Sequence, residues 1–199
     1  MKLKDIKQIV TLLGNEWDLG KKSSGSKKNV CAWIYFCEIM SESEKLIIEK
    51  INNKIIGVCG YTKKNSKKYK LRKMFYKTLK HILLNSYLIQ NKKAMLDYLE
   101  SYDYTPEELK NYFDGELSII IVDKKYRNCG IGKKLINNIF EYAKKDNIKK
   151  IQILTDESCN YKFYENLGCK KIYEKTITIY EPNKNSNKTE KGYIYEKRL

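Results

Sequence analysis

The stretch from Glu116 to Gly168 constrains the fold more than any other part of the chain. A short, β-branched apolar run, Leu117 to Val122, passes through a basic turn into Arg127-Asn128-Cys129-Gly130-Ile131-Gly132. Apolar residues then recur at Ile131, Leu135, Ile139 and Ala143, backed by Ile136 and Phe140. The switch from a continuous apolar run to a three-to-four-residue repeat predicts strand, tight turn, helix. A second strand is predicted at Ile151 to Leu154.

Two glycines one residue apart, where a strand turns into a helix, let the backbone approach a ligand closely. They also leave N–H groups of the first helical turn without partners, and those donors, at the positive end of the helix dipole, bind phosphate. Arg127, Lys133 and Lys134 add positive charge around the turn, which suits a pyrophosphate. Spacing sets two nucleotide folds aside. A dinucleotide-binding fingerprint needs a third glycine, and Leu135 stands in its place. A P-loop needs G-x-x-x-x-G-K-[ST], and no such run occurs.

These residues resemble the GNAT superfamily of acetyl-coenzyme A dependent N-acetyltransferases. Arg127, Gly130 and Gly132 meet its [RQ]-x-x-G-x-[GA] signature, and Phe163, Tyr164, Glu165 and Gly168 meet its downstream aromatic-Tyr-acidic-x-x-Gly pattern. The resemblance is strong over residues 116 to 174, weaker over 30 to 61, and absent from about 63 to 113. It implies an α/β fold, a central mixed sheet flanked by helices, with a helical insertion at 63–113 inside a single domain spanning 1–199.

The resemblance also implies roles. The backbone N–H groups of Asn128, Cys129, Gly130, Ile131, Gly132 and Lys133 would hold the coenzyme A pyrophosphate, with Arg127 beside them. The two parallel strands would splay so that the pantetheine arm lies between them, along Ile121 and Val122 and near Asn160. Acetyl-CoA is then the cosubstrate, an acceptor amine attacks the thioester directly, and Tyr164 protonates the departing thiolate. Glu116, at the start of the strand, stands where some members place a general base; a solvated strand-end carboxylate is the plain alternative, and other members use water chains.

Elsewhere the signals are mostly structural. Ile6, Ile9, Val10 and Leu13 mark an N-terminal helix, and Trp33, Phe36, Cys37 and Met40 mark a second, read as core first and as an acceptor-pocket wall second. Residues 20 to 28, GKKSSGSKK, read as a flexible loop. Asn52-Asn53-Lys54 between two apolar runs predicts a β-hairpin. In the insertion, Leu71, Phe75, Leu79, Ile82 and Leu83 describe one helical face, and Thr105-Pro106-Glu107-Glu108 predicts a capping box with proline at the first helical position. Two last strands are predicted at Lys171 to Tyr180 and Tyr193 to Lys197, joined by a polar loop.

Charge carries one functional hint. Seven carboxylates fall between Asp97 and Glu116 against the single Lys110, in a chain of net charge +16. They are either a solvated helix face or an acceptor entrance that favours a cationic amine through Asp103, Glu107 and Glu108. The acceptor is accordingly expected to be a cationic small molecule or a basic peptide.

The six cysteines include no C-x-x-C pair and the only histidine is His81, so no metal is expected. The lysines are spread along the chain, which argues against specific nucleic-acid binding. With no signal-like segment and no run of 18 apolar residues, a cytoplasmic protein without a membrane partner is expected, and the insertion offers a surface for a homodimer. The alternatives to an enzyme are a catalytically inactive acyl-CoA-binding sensor or scaffold and a basic nucleic-acid-binding protein.

Overall fold

Asn52 and Asn53 both take positive φ, 48° and 62°, the conformation of a two-residue hairpin turn whose twist matches that of its strands. Asparagine tolerates it, and the turn closes β1 (Lys45–Ile51) onto β2 (Lys54–Lys63). The computed structural model describes residues 1–17, 19, 29–89, 91–181 and 186–199. The loop expected at 20–28 lies outside the described residues.

Two helices precede the hairpin, α1 (Leu3–Glu16) and α2 (Val30–Glu42). After it come α3 (Lys70–Leu84), α4 (Lys92–Glu100) and the single turn α5 (Glu107–Lys110). The remaining elements are β3 (Gly115–Val122), α6 (Ile131–Lys145), β4 (Lys150–Asp156), α7 (Lys162–Glu165), β5 (Lys170–Glu181) and β6 (Ser186–Arg198). The six strands form one sheet in the order β1-β2-β3-β4-β6-β5. Only β3 and β4 are parallel, the strand pair expected from the sequence.

The sheet has an apolar layer on each face. One joins α1, α2, Met95 and Tyr98 of α4, and residues of β5 and β6 such as Ile177 and Ile194. The other is built on α6, whose Leu135, Ile136, Ile139, Phe140 and Ala143 are buried. Each large side chain of that stripe stabilises the fold by roughly 1.5–3 kcal/mol. Leu135 fits because Gly57 lies beneath it; a Cβ there would stand 2.8 Å from Leu135 Cδ1.

Three expectations need correction, and one helix carried no separate expectation. The capping box at Thr105 does not form: Pro106 is itself the N-cap, α5 lasts one turn, and the Thr105 hydroxyl accepts a hydrogen bond from the Gln152 side chain. Strand β6 begins at Ser186, because backbone pairing with β5 continues well past the apolar residues. Helix α4 was not distinguished within the insertion, although Asn91 caps it by accepting the Ala94 N–H at 2.9 Å. Finally, Leu71, Phe75 and Ile82 of the apolar face read on α3 are exposed; α3 meets the body through Leu83 of that face together with Tyr76 and Leu84.

Candidate active site

Strands β3 and β4 begin side by side and then part. Their register holds only Gly115 with Ile151 and Glu116 with Gln152, although the strands run for eight and seven residues. Past those pairs, the edge of β3 from Leu117 to Val122 and the edge of β4 from Ile153 to Asp156 face a gap in mid-sheet. On its other side each strand is paired along its length, β3 with β2 at every residue but Ser118 and β4 with β6 from Lys150 to Asp156. Backbone donors and acceptors along the gap therefore await a partner.

The closed end of this wedge is riveted by Asp114, whose Oδ2 accepts the N–H groups of Lys149 and Lys150 at 2.8 and 2.9 Å. Gly115 is required beside it, since a Cβ would lie 2.5 Å from the Thr62 carbonyl oxygen. A bulge follows: Gly60 pairs with Ile119 and Tyr61 with Leu117, which leaves Ser118 unmatched. The extra residue turns the strand over. Leu117 packs in the α6 layer, while Ile119 and Ile121 pack in the α1/α2 layer.

The open end of the wedge meets the glycine turn. Asn128 and Gly130 take φ of 63° and 76°, and the first intrahelical bond of α6 runs from Lys134 N–H to the Gly130 carbonyl at 3.0 Å. Ile131, Gly132 and Lys133 thus present first-turn N–H groups with no carbonyl behind them. A Cβ on Gly130 would meet nothing within 4 Å, so the space over the turn is left free by the protein itself. Such a succession of N–H groups is an anion cradle.

Two of the three cations around the turn are held in ion pairs. Arg127 is paired with Glu16 of α1 at 2.5 Å and donates Nε–H to the Val122 carbonyl at 3.0 Å. Lys134 is paired with Glu49 at 2.8 Å. Arg127 therefore shapes the turn, and of the three cations only Lys133 has no partner among the described residues. Glu16 gave no signal in the sequence. Cys129 is exposed, its thiol 3.5 Å from the Arg127 carbonyl.

Tyr164 is brought to the wedge by the rest of its motif. The Phe163 ring rests against Gly132, where a Cβ would stand 3.5 Å from it, so α7 docks on the start of α6. Gly168, at φ 69°, reverses the chain so that Cys169 N–H returns to the Tyr164 carbonyl at 3.0 Å. Tyr164 is 8% exposed, and burial holds its hydroxyl well above the ordinary tyrosine range. Asn160 is exposed just before α7. Its loop is set by buried Asp156, whose Oδ1 accepts from Ser158 N–H and Cys159 N–H; the Asp-x-Ser spacing was the signal for this turn.

Glu116, by alternation with Leu117, faces the α2 side. Removal of its carboxyl from water, then the charge of Glu42, push its pKa up to about 7, with Lys64 opposing and Asp103 adding to the rise. Tyr35 lies within reach of the same charge and stacks edge-on with Tyr98 at 6.0 Å. Tyr104 ties the acidic segment to β4 and β6: its hydroxyl lies 2.7 Å from the Thr155 carbonyl and 3.1 Å from the Tyr193 carbonyl, and accepts the Thr155 N–H at 3.1 Å. Asp103, Glu107 and Glu108 are exposed, and Glu107 pairs with Lys110 at 2.5 Å. Among the described residues no group of three histidine, cysteine, aspartate or glutamate side chains could hold a metal, and no helix is long and apolar enough to cross a membrane.

A strand pair splayed over a glycine turn and a buried tyrosine can be matched against known proteins. Residues 15–169 match the profile of the Acetyltransferase (GNAT) family. The chain belongs to that family. Membership makes acetyl-CoA the cosubstrate and acetyl transfer the reaction. No curated protein sequence matches it. Among solved structures, a Pyrococcus horikoshii protein aligns with TM-score 0.59 at 18% identity, covering 100% of this GNAT chain and 93% of its own. A ribosomal-protein-alanine N-acetyltransferase from Brucella melitensis aligns at 0.57 and 10%, covering 100% and 97%. An N-acetyltransferase from Staphylococcus aureus aligns at 0.56 and 13%, covering 100% and 94%. At these identities the likeness is one of fold.

Proposed function

We propose that the protein is an N-acetyltransferase that moves the acetyl group of acetyl-CoA to the primary amine of a cationic small molecule or basic peptide. The observation that carries this reading is the gap between β3 and β4, which opens onto the anion cradle of Asn128 to Lys133. The cradle takes the pyrophosphate. Unpaired backbone groups along Ile119 to Val122 take the amides of the pantetheine arm as an added strand would be taken. Ile121 contributes backbone, because its side chain is buried, and the Asn160 side chain, which has no partner among the described residues, reaches the same ligand.

Acetyl-CoA supplies an activated thioester; the chain supplies position and proton control. The amine nitrogen bonds to the carbonyl carbon, the carbon–sulfur bond breaks, and the amine's proton goes to Glu116. A carboxyl near pH 7 in pKa is about half ionised at neutrality, the condition for an effective base. Tyr164, which stays protonated at neutral pH, gives its hydroxyl proton to the sulfur as negative charge develops there. The acceptor comes from the α2 side, where Glu42, Glu116 and Asp103 form an acidic neighbourhood, with Glu107 and Glu108 farther out on the surface. Such a neighbourhood, in a chain of net charge +16, attracts a cation.

Thermal unfolding with acetyl-CoA, coenzyme A or NAD tests the ligand assignment. Ligand at about 100 times its dissociation constant stabilises the native state by about 2.7 kcal/mol. Both coenzyme A species should raise the melting temperature and NAD should not; equal response to all three, or to none, refutes the cradle-and-gap assignment. Thiol release in the presence of an amine panel then separates an enzyme from an inactive acyl-CoA sensor. Nothing in the fold favours the nucleic-acid alternative.

A further inference from the structure

Helix α3 carries two apolar faces. Tyr76, Leu83 and Leu84 turn toward α2, where Tyr76 meets Phe36 at 5.7 Å. Leu71, Met74, Phe75 and Ile82 lie on another face, within an arc of about 100°, and are 78%, 57%, 60% and 57% exposed. Of the ten large hydrophobic residues exposed among the described residues, six fall between Tyr69 and Tyr87. This concentration marks a surface meant for contact.

The charge around it has one sign. Residues 63 to 96 hold eleven lysines and arginines and no carboxylate. Lys68, Lys73 and Lys80 are committed to Asp146, Glu44 and Glu38. Lys67, Lys70, Lys77 and Lys93 form no ion pair among the described residues, and Lys70 and Lys77 border the apolar arc.

We infer that this face of α3 seats on an anionic phospholipid surface, with the apolar side chains dipping below the headgroups and the lysine heads among the phosphates. The pattern is that of an interfacial amphipathic helix, and lysine stems reach outward while their charges stay in the headgroup layer. A second copy is a poor occupant. A helix of 15 residues is about 22 Å long and about 10 Å wide, a footprint far below the roughly 800 Å² per partner of a stable dimer. Two such faces would also oppose lysine to lysine. The expectation of no membrane partner came from the lack of a spanning segment, which does not bear on a helix lying in the interface.

Flotation of the full chain with vesicles tests the inference independently of catalysis. The protein should float with vesicles of phosphatidylcholine and phosphatidylglycerol, and remain below with phosphatidylcholine alone. K70E/K77E should weaken retention about tenfold or more, and L71S/F75S/I82S, at exposed positions, should abolish it with unchanged melting temperature. F75W should shift its emission to the blue on the anionic vesicles. The inference is overturned if the wild type does not float, if the triple serine variant floats equally well through diffuse charge, or if light scattering gives a dimer that the triple variant abolishes.

Discussion

Replacing Glu116 by glutamine removes the proposed base and should change the shape of the pH profile as well as its height. With a pKa of about 7, the carboxyl is ionised in about one tenth of molecules at pH 6 and about nine tenths at pH 8. Turnover also needs the neutral amine, whose fraction rises tenfold per pH unit below its own pKa. The logarithm of kcat/KM should therefore climb with slope two below pH 7 and slope one above it. In E116Q the slope should be one throughout, with the plateau lower by about 10² to 10⁴. A second readout is stability. The native state holds the Glu116 proton more tightly than the unfolded chain, so wild-type stability falls by roughly 3 kcal/mol as pH rises from the ordinary carboxyl range through 7. E116Q should lack that fall, seen as a difference between denaturation midpoints at pH 5 and pH 8. A variant that keeps the break at pH 7, or works within threefold of wild type, would remove Glu116 from the mechanism.

Four further outcomes are expected. Tyr164→Phe should lower kcat by about 10² to 10⁴ while the acetyl-CoA dissociation constant, read by calorimetry, stays put. Gly130→Ala should cost about 1–2 kcal/mol for its left-handed backbone, and should weaken coenzyme A further, because the added methyl enters space that the protein leaves free; denaturation and calorimetry measure the two effects separately. Asp114→Ala removes two charge-assisted hydrogen bonds at the closed end of the wedge. With the group exposed, a loss of about 1–2 kcal/mol in a urea melt is expected. D103N/E107Q/E108Q should raise the Michaelis constant of a cationic acceptor, leave coenzyme affinity unchanged, and move the Glu116 inflection to lower pH; initial-rate kinetics across pH reads all three.

Features set by backbone conformation were legible in the sequence. The glycine turn at 130 and the asparagine pair at 52 and 53 were found because few residues adopt positive φ. The bulge at Ser118 was hidden: Leu117 to Val122 reads as one apolar run with no mark of a break, and only pairing with Gly60 and Tyr61 puts Leu117 on one face and Ile119 and Ile121 on the other. Arg127 looked like a phosphate ligand because its partner, Glu16, lies more than a hundred residues away and carries no local mark. Thr105 looked like a cap until Gln152 claimed its hydroxyl. Helix α3 shows why periodicity alone cannot say which way a helix faces: Leu71, Phe75 and Ile82 repeat properly, yet point to solvent. Long-range pairing decided each of these cases.

The two-residue junction between β3 and β4 also has a mechanical meaning. The sheet consists of two well-knit halves, β1-β2-β3 and β4-β6-β5, sewn together by a few backbone bonds near Asp114 and by the side chains packed above and below. The cleft proposed for acetyl-CoA is thus also the line along which this protein is easiest to pull apart, and whatever fills it acts as glue. Tolerance to mutation should then rise and fall with the cell's supply of acetyl-CoA, since occupancy offsets weakness in either half.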